Sequence, residues 1–372
     1  MTAFQDWLAA AAQRRQELGL VRATPVMDPA HPMLDLAGND YLGLRTDPRV
    51  IAGAVAAATA YGGGAGASRL VTGTLPIHAE LETALCDFTG APAGLVFSTG
   101  YAANLAALTA LTDADTLVVS DAHVHASLVD AARLSRATVA VARHNDVAHV
   151  IEVLDASPLP RAMVVVESVY SVLGDAAPMA ALAEVCRARG AVLVVDEAHA
   201  IGVNGVGGRG LAAELGLTSE PDVVVTLTLS KSLASQGGAV LASTEVRDHL
   251  VNSARSFIYD TGLAPAAAGA ALAALDVLRA TPALAAKVRH NSDLLATACA
   301  VDPVAGAVLS VVMPGPDEAL AAVAEAAQHG IRIGCFRPPS TPDGTSRLRL
   351  TAHAHHEDLT AACDLLAELT RG

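Results

Sequence analysis

Apolar runs rich in valine recur through the middle of the chain, and helical patterns fill most of the intervals between them. The runs are continuous rather than alternating, as expected of strands that are covered on both faces. They predict six strands, at residues 94–99, 116–121, 162–168, 191–197, 222–230 and 237–243. Helices are predicted between them, for example at 101–112, 126–134 and 178–189. This order predicts a mostly parallel sheet with helices on both sides.

The two ends of the chain carry different patterns. The first twenty residues predict an amphipathic helix with Trp7 and the leucines on one side, without the pattern of a secretory signal. The tail predicts a small α+β unit, with strands at 307–314, around 331–336 and at 346–352, and helices at 317–330 and 357–370. We therefore expect an α/β protein with a short N-terminal arm (1–48), a large α/β domain (49–265) and a small α+β domain (266–372).

Composition and charge exclude several classes of protein. Apolar residues make up 52% of the chain, which is enough for a large core, yet no run of 18 apolar residues could span a bilayer. A net charge of −14 argues against a nucleic-acid partner. The five cysteines are scattered without a C-x-x-C pair, so we expect no disulfide framework and no metal site, and a location in the reducing cytoplasm.

Polar residues follow several of the predicted strands. In a mostly parallel sheet, ligands bind at the carboxyl ends of the strands, so these residues are candidates for the functional site. Gly100 and Tyr101 open a helix whose free amides could receive a phosphate, although a plain glycine turn is an equal alternative. His123 and His125 follow another strand. One of these imidazoles could lie flat against a bound aromatic ring, although a lone surface histidine is the commoner case.

Asp196 ends a third strand, with His199 three residues later, and a buried acid there needs a cation or hydrogen-bond donors. The letters DEAH at this point also occur in helicases, which need a glycine-rich phosphate loop ending in lysine, and no lysine of this chain follows such glycines. GVGGRG at 205–210 has the spacing of a dinucleotide-binding turn but not its strand-to-helix context, so we expect a flexible surface loop.

Lys231 follows the strand at 222–230 and is one of only two lysines, the other being Lys287. An apolar setting favours the neutral amine, which condenses with an aldehyde to form a Schiff base. An aldehyde-bearing pyridine cofactor needs a lysine, a carboxylate for its ring nitrogen and a phosphate cradle. Lys231, Asp196 and the turn at Gly100 supply one of each. A solvated lysine at the start of a loop is the alternative for Lys231 taken alone.

Nine motifs, in order along almost the whole chain, resemble the α-oxoamine synthases, a family of fold-type I pyridoxal-phosphate (PLP) enzymes. They are NDYLGL (39–44), GAGASRLVTGTLPIHAELE (64–82), STGYAANLAAL (98–108), DAHVHASLVDA (121–131), ESVYSVLGDAAPMAAL (167–182), VVDEAHAIGVNGVGGRG (194–210), TLSKSLASQGG (228–238), FIYDTGLAP (257–265) and SRLRLTAHAHHEDL (346–359). The resemblance implies a fold-type I PLP-dependent transferase that binds pyridoxal 5'-phosphate and forms a homodimer with shared active sites.

The resemblance also implies a role for each matching residue. Lys231 would be the Schiff-base lysine, Asp196 would pair with the pyridinium nitrogen, and His199 would hydrogen-bond the ring hydroxyl. His125 would stack on the ring, which decides between the two histidines. Ser171 would lie beside the cofactor, and Arg349 would bind the amino-acid carboxylate with Asn39 nearby. The residues implied around the phosphate are Gly100, Tyr101, Thr228, Ser230 and, for the phosphate of the partner subunit, Thr261.

Members of the family differ in the amino acid and the acyl thioester that they join. The present motif versions are most similar to members that condense L-alanine with a pimeloyl thioester, on coenzyme A or a carrier protein, in biotin synthesis. Arg22, or one of Arg14 and Arg15, would then meet the far carboxylate of the pimeloyl chain. Types that use glycine or serine (glycine C-acetyltransferase, 5-aminolevulinate synthase, serine palmitoyltransferase) stay open, and a fold-type I aminotransferase is less favoured.

Three positions depart from the usual family pattern. Val124 stands where an asparagine usually precedes the stacking histidine, Leu173 replaces an acid, and Ala234 replaces a glycine after the lysine. None removes a catalytic group, so the departures bear on the shape of the pocket and hence on the substrate. A cofactor-binding regulator would need an attached DNA-reading module, and no spare basic segment is visible for one.

Overall fold

The computed structural model describes residues 2–28, 32–338, 340–341 and 343–371. The helices in this part of the chain are α1 (Ala3–Glu17), α2 (Pro48–Tyr61), α3 (Pro76–Thr89), α4 (Gly100–Leu111), α5 (Ala126–Leu134), α6 (Val147–Ala156), α7 (Met179–Arg189), α8 (Leu211–Glu214), α9 (Thr244–Ser253), α10 (Arg255–Ile258), α11 (Pro265–Ala280), α12 (Ala283–Ala298), α13 (Pro316–Gln328) and α14 (Thr360–Leu369). The strands are β1 (Leu34–Asp35), β2 (Ala93–Phe97), β3 (Thr116–Asp121), β4 (Thr138–Ala142), β5 (Arg161–Glu167), β6 (Val192–Asp196), β7 (Val223–Thr228), β8 (Gly238–Ala242), β9 (Val308–Val312), β10 (Ile331–Arg332), β11 (Gly334–Phe336) and β12 (Arg347–Thr351).

A seven-stranded sheet in the order β2-β8-β7-β6-β5-β3-β4 forms the centre of the molecule. Neighbouring strands from β7 through β4 are parallel, and only β8 runs antiparallel to its two neighbours. The six predicted strands and the mostly parallel sheet are confirmed. The sequence analysis missed β4, an edge strand whose side chains are largely exposed, because its residues TVAVA do not form a continuous buried run.

Alternate residues of the central strands enter two separate apolar cores, one on each face of the sheet. Leu193 and Val195 of β6 belong to the larger core, whereas Val194 between them belongs to the other core, with helices α4 and α5. This alternation follows from the two-residue period of a strand. Because both faces are covered, every residue of β7 is buried, which explains the continuous valine-rich pattern of the sequence.

The tail forms a second, antiparallel sheet in the order β11-β12-β9. Its strands and the helices α13 and α14 confirm the predicted α+β character of this region. Strand β1, from the N-terminal part of the chain, pairs in parallel with β10, so the two ends of the chain meet beside this sheet. The division into an arm and two domains at residues 48 and 265 stays a prediction.

The segment GVGGRG reaches the surface at Val206 and Arg209, as expected of a surface loop, but its last glycines form a packed turn. Gly208 and Gly210 are buried, and the Gly208 carbonyl accepts a hydrogen bond from the Gly202 amide at 2.7 Å. A Cβ at Gly210, where φ is +96°, would lie 1.8 Å from a carboxylate oxygen of Glu197. Glycine is therefore required at position 210, because a side chain there would be strained by the positive φ and would collide with Glu197.

No single helix among the described residues has the length and apolar character needed to cross a bilayer. Helices α11 and α12 have that length and character only when taken together, and they are bent by 83° at the break between them.

Candidate active site

A two-part cavity opens at the carboxyl ends of β5, β6 and β7. Its inner part has a volume of about 290 Å³, and its outer part has a volume of about 670 Å³. His125, His199 and Lys231 line both parts, so the two chambers adjoin. The cavity therefore lies at the sheet edge that the sequence analysis selected.

Lys231 lies three residues beyond the end of β7 and presents its amine to both chambers. Its Nζ is 2.7 Å from Nε2 of His199. Burial lowers the pKa of Lys231 to about 8, against the opposing effect of the negative charges of Asp196 and Glu167. A substantial fraction of this lysine is therefore a neutral amine near neutral pH, which is the form that acts as nucleophile or base.

A chain of hydrogen bonds connects Lys231 to Asn39 through His199 and Tyr41. Nδ1 of His199 is 2.7 Å from the hydroxyl of Tyr41, and that hydroxyl donates to Oδ1 of Asn39 at 3.0 Å. When Tyr41 donates to Asn39, Nδ1 of His199 carries the proton and Nε2 accepts from Lys231. Burial and the charge of Lys231 lower the pKa of His199 well below its usual value, which favours this neutral ring. Tyr41, which the sequence analysis did not select, therefore fixes the histidine tautomer.

Arg349 on β12 approaches the same chain from the small sheet. Its guanidinium donates to the carbonyl of Ser171 at 2.8 Å and to Oδ1 of Asn39 at 3.2 Å, and it lies over the ring of Phe336. Arg349 is buried, and within the described ranges no carboxylate forms a salt bridge with it. A buried, unpaired guanidinium with fixed orientation is well suited to bind a carboxylate in two-point contact.

Asp196 ends β6 at the floor of the inner chamber. Its Oδ1 accepts from the amide of Ala198, and its Oδ2 accepts from Nδ2 of Asn104, each at 2.8 Å. The same Asn104 amide donates to Ser127 Oγ, which lies 2.7 Å from Nδ1 of His125. Since Ser127 also donates its backbone amide to that nitrogen, Nδ1 of His125 is an acceptor. Asn104 and Ser127, both missed in the sequence, orient the aspartate and the histidine together.

Glu167, a second carboxylate missed by the sequence analysis, lines the inner chamber beside Asp196. Burial and the charge of Asp196 raise the pKa of Glu167 to about 8. Its Oε2 accepts from the amide of Ser171 at 3.0 Å, whereas its Oε1 is buried without a partner among the described residues. Two adjacent carboxylates and one lysine thus share this site, and their charges depend on one another.

The opposite end of the inner chamber is rich in hydrogen-bond donors. Helix α4 begins at Gly100 with Thr99 as its cap, so its first free amides point into the chamber. The hydroxyl groups of Thr228 and Ser230 are 2.7 Å apart and line the same end. A Cβ at Gly100 would lie 3.0 Å from Thr228. The glycine therefore allows the start of α4 to lie close to Thr228, and a helix start of this kind can bind an anion.

The remaining predicted residues divide into those near the cavity and those outside it. Arg22 lines the outer chamber and donates to Ser340 Oγ at 2.7 Å, whereas Arg14 and Arg15 lie on α1 and line neither chamber. Tyr101 lines the inner chamber, and its hydroxyl hydrogen-bonds Asp130. Thr261 is exposed, forms an isolated bridge with Ser68 and does not line either chamber.

The geometry favours His125 over His123 as the ring-stacking histidine. His125 lines both chambers. The ring of His123 lines only the outer chamber and is stacked on His144, with ring centroids 3.8 Å apart. This arrangement agrees with the choice that the family resemblance implies.

The inner chamber fits PLP in the chemistry of its groups. An amine suits the aldehyde, a carboxylate with fixed orientation suits the ring nitrogen, and a helix start with two hydroxyls suits the phosphate. Oε1 of Glu167 has no hydrogen-bond partner among the described residues. A polar ligand in the chamber would complete the hydrogen bonding of this oxygen.

Comparisons with known proteins agree with this fold and site. Residues 31–366 match the family model for aminotransferase class I and II. The chain is 53% identical to the 8-amino-7-oxononanoate synthase of Mycolicibacterium gilvum over 95% of this chain and 93% of that protein. It is 54% identical to the protein of the same name from Mycolicibacterium smegmatis, over 95% and 92%. The chain belongs to the aminotransferase class I and II family, and the predicted resemblance to α-oxoamine synthases is confirmed.

Solved structures give the same result. The serine palmitoyltransferase of Sphingomonas wittichii aligns with a TM-score of 0.92 at 29% identity, over 100% of this chain and 98% of that one. A serine palmitoyltransferase solved with PLP aligns with a TM-score of 0.91 at 28% identity, over 100% and 99%. The predicted fold-type I transferase fold is confirmed.

Proposed function

We propose that this protein is a PLP-dependent acyltransferase that condenses L-alanine with a pimeloyl thioester. The product 8-amino-7-oxononanoate is the one in the names of the relatives at 53–54% identity, and carbon dioxide and a free thiol complete the balance of the proposed reaction. The observation that carries the proposal is the order of basic side chains along one cavity: the amine of Lys231 lies at the inner end, and Arg349, Arg22 and Arg133 line the outer chamber. The arginines suit an amino acid carboxylate and a second, distant carboxylate on the acyl chain.

In the net reaction one carbon–carbon bond forms and two bonds to carbon break, while the α-carbon loses its proton at the start and regains one at the end. The α-carbon of alanine joins the carbonyl carbon of the thioester, and the carbon–sulfur bond breaks to release the thiol. The bond from the α-carbon to its carboxylate then breaks, and a proton replaces the carbon dioxide. When bound, PLP supplies an electron sink for negative charge at the α-carbon.

Lys231 is proposed to remove and return the proton at the α-carbon. Burial lowers the pKa of this amine to about 8, so it can accept a proton near neutral pH and give it back. Nε2 of His199, 2.7 Å from Nζ, holds the amine in position. Asp196 holds a negative charge at the floor of the chamber, where it stabilises positive charge on a bound ring.

Arg349 is proposed to bind the carboxylate of alanine, and Arg22 that of the pimeloyl chain. Arg349 is already oriented by Ser171 and Asn39, so little ordering is lost when the carboxylate binds. Arg22 is exposed, and its hydrogen bond to Ser340 lies at the surface. It can therefore turn toward a longer substrate. Release of the thiol from the pimeloyl thioester, measured with L-alanine, glycine and L-serine, tests the assignment. Preference for glycine or serine would mean a different α-oxoamine synthase.

The amine of Lys231 gives a prediction for the dependence of cofactor uptake on pH. Only the neutral amine attacks an aldehyde, and the pKa of Lys231 is lowered to about 8. The rate at which the cofactor-free protein binds PLP covalently should therefore be low at pH 6, rise through a midpoint near 8, and level off above it. Lys287→Ala should give the same profile. A midpoint above 10 would show that the amine of Lys231 is not held in an apolar setting.

We also propose a homodimer in which Thr261 serves the cofactor of the partner subunit. Thr261 is exposed and bridges Ser68, and the nearby Val71 exposes 74% of its surface. An exposed apolar side chain of this size beside a proposed shared residue supports an interface. Sedimentation of the holoenzyme should give twice the 37.6 kDa of one chain.

A further inference from the structure

A cluster of three histidines lies outside the cavity, in the segment that follows β12. His353, His355 and His356 each offer a ring nitrogen, and these three atoms lie within 4.8 Å of one another. His353 and His356 are stacked, with ring centroids 4.8 Å apart and planes inclined by 9°. None of the three belongs to the residues that line the inner or the outer chamber.

The hydrogen bonds of the cluster leave metal-binding lone pairs free. Nε2 of His353 lies 3.0 Å from Oγ1 of Thr351 and 3.2 Å from the carbonyl of Gly38. The carbonyl can only accept, so Nε2 carries the proton and the Thr351 hydroxyl oxygen accepts from it as well. Nδ1 of His353 is consequently unprotonated, and it is buried without a partner among the described residues, as is Nδ1 of His356. Both side chains are at least nine-tenths buried. Two buried imidazole nitrogens without a hydrogen-bond partner are costly unless a ligand completes them.

The backbone of this segment is held in place independently of any ligand. Nδ2 of Asn291 on α12 donates to the carbonyls of His353 and His356 at 2.8 and 3.0 Å. Metal-bound histidines usually donate their other ring nitrogen to a carbonyl or carboxylate, as His353 does to Gly38. A tetrahedral zinc site needs nitrogen separations of about 3.3 Å. To reach them, exposed His355 and one of the two stacked rings would turn toward the ion.

We propose that His353, His355 and His356 bind one divalent metal ion of the zinc type. Three imidazoles are a ligand set that such ions favour, with a fourth position left to water. This proposal revises the expectation of no metal site, which considered only the cysteines. The ion would also fix the segment 353–356, whose Ala354 amide donates to the carbonyl of Tyr41 at 2.7 Å. It would thereby steady the loop that carries Asn39 and Tyr41 at the cavity.

The test uses the untagged holoenzyme, treated with a chelator and then titrated with Zn²⁺ by calorimetry. The expected result is one ion per chain, with a dissociation constant raised by more than about tenfold in His355→Ala, since even a group behind the ligands changes affinity that much. His290→Ala, which removes an exposed histidine of α12, should leave binding unchanged. His355 is exposed, so its variant should fold, and the absorbance of its bound cofactor checks this.

Co²⁺ in place of Zn²⁺ reports the geometry independently of affinity. The intense visible absorption of four-coordinate Co²⁺, lost in His355→Ala, would support a site of three histidines and water. Three outcomes would overturn the proposal: no binding to the wild type, equal affinity in His355→Ala, or the weak spectrum of six-coordinate Co²⁺.

Discussion

Replacing Lys231 with alanine is expected to abolish multiple turnover while the protein still folds. The variant loses both the group that attaches the cofactor and the proposed base at the α-carbon, and general base catalysis alone is worth on the order of 10²–10⁴ in rate. We therefore expect a fall of at least about 10⁴-fold. The substitution removes a buried amine whose pKa is already lowered by desolvation, so it should not destabilise the fold.

Lys287→Ala is the matched control for this experiment, because Lys287 is the only other lysine and lies on α12. It should retain wild-type turnover. Thiol release over many equivalents measures the activity of both variants, and circular dichroism shows whether they fold. Appreciable multiple turnover by the Lys231 variant would contradict the assignment of the lysine.

Replacing Asp196 with asparagine is expected to slow turnover by about 10²–10⁴-fold, the usual effect of removing one preorganised electrostatic group. The new side chain has the same shape. Its oxygen can still accept from Ala198, and Asn104 can turn its unpartnered Oδ1 toward the new amide, which gives up only the hydrogen bond from Asn104 to Ser127 Oγ. The loss should therefore come from the missing charge and not from altered packing.

A second measurement separates the charge effect from a structural one. The carboxylate of Asp196 raises the pKa of Lys231, so Asp196→Asn should move the midpoint of cofactor uptake to a pH below 8. Asp222→Asn, at the other end of β7, should change neither the rate nor the midpoint. An unchanged midpoint in Asp196→Asn would contradict the proposed coupling of these two groups.

Site residues at strand ends could be predicted from the sequence, because a polar side chain of a strand buried on both faces can reach a cavity only where the strand ends. Asp196 and Lys231 each follow a continuous apolar run, and both line the inner chamber. The strand β4 could not be predicted in this way, because an edge strand with exposed side chains lacks such a run.

The residues that support the site could not be predicted, because each acts through a partner that is remote in the chain. Asn104 contacts Asp196 across 92 residues, and Tyr41 contacts His199 across 158. Tyr41 lies inside the motif NDYLGL, which the sequence analysis identified. An aromatic residue between apolar neighbours nevertheless predicts a core position and not a role in the site. Its hydroxyl acquires a role only when folding brings His199 and Asn39 to it.

The visible absorption of the holoenzyme, titrated with L-alanine, glycine and L-serine and then with pimeloyl-CoA, tests the central claim most directly. We expect a yellow protein whose spectrum responds saturably to L-alanine and changes again when the thioester is added. The Lys231→Ala variant should lack the yellow colour. A response to glycine or serine alone would retain the chemistry and contradict the substrate. A protein that stays colourless with added PLP would contradict the assignment of the whole site.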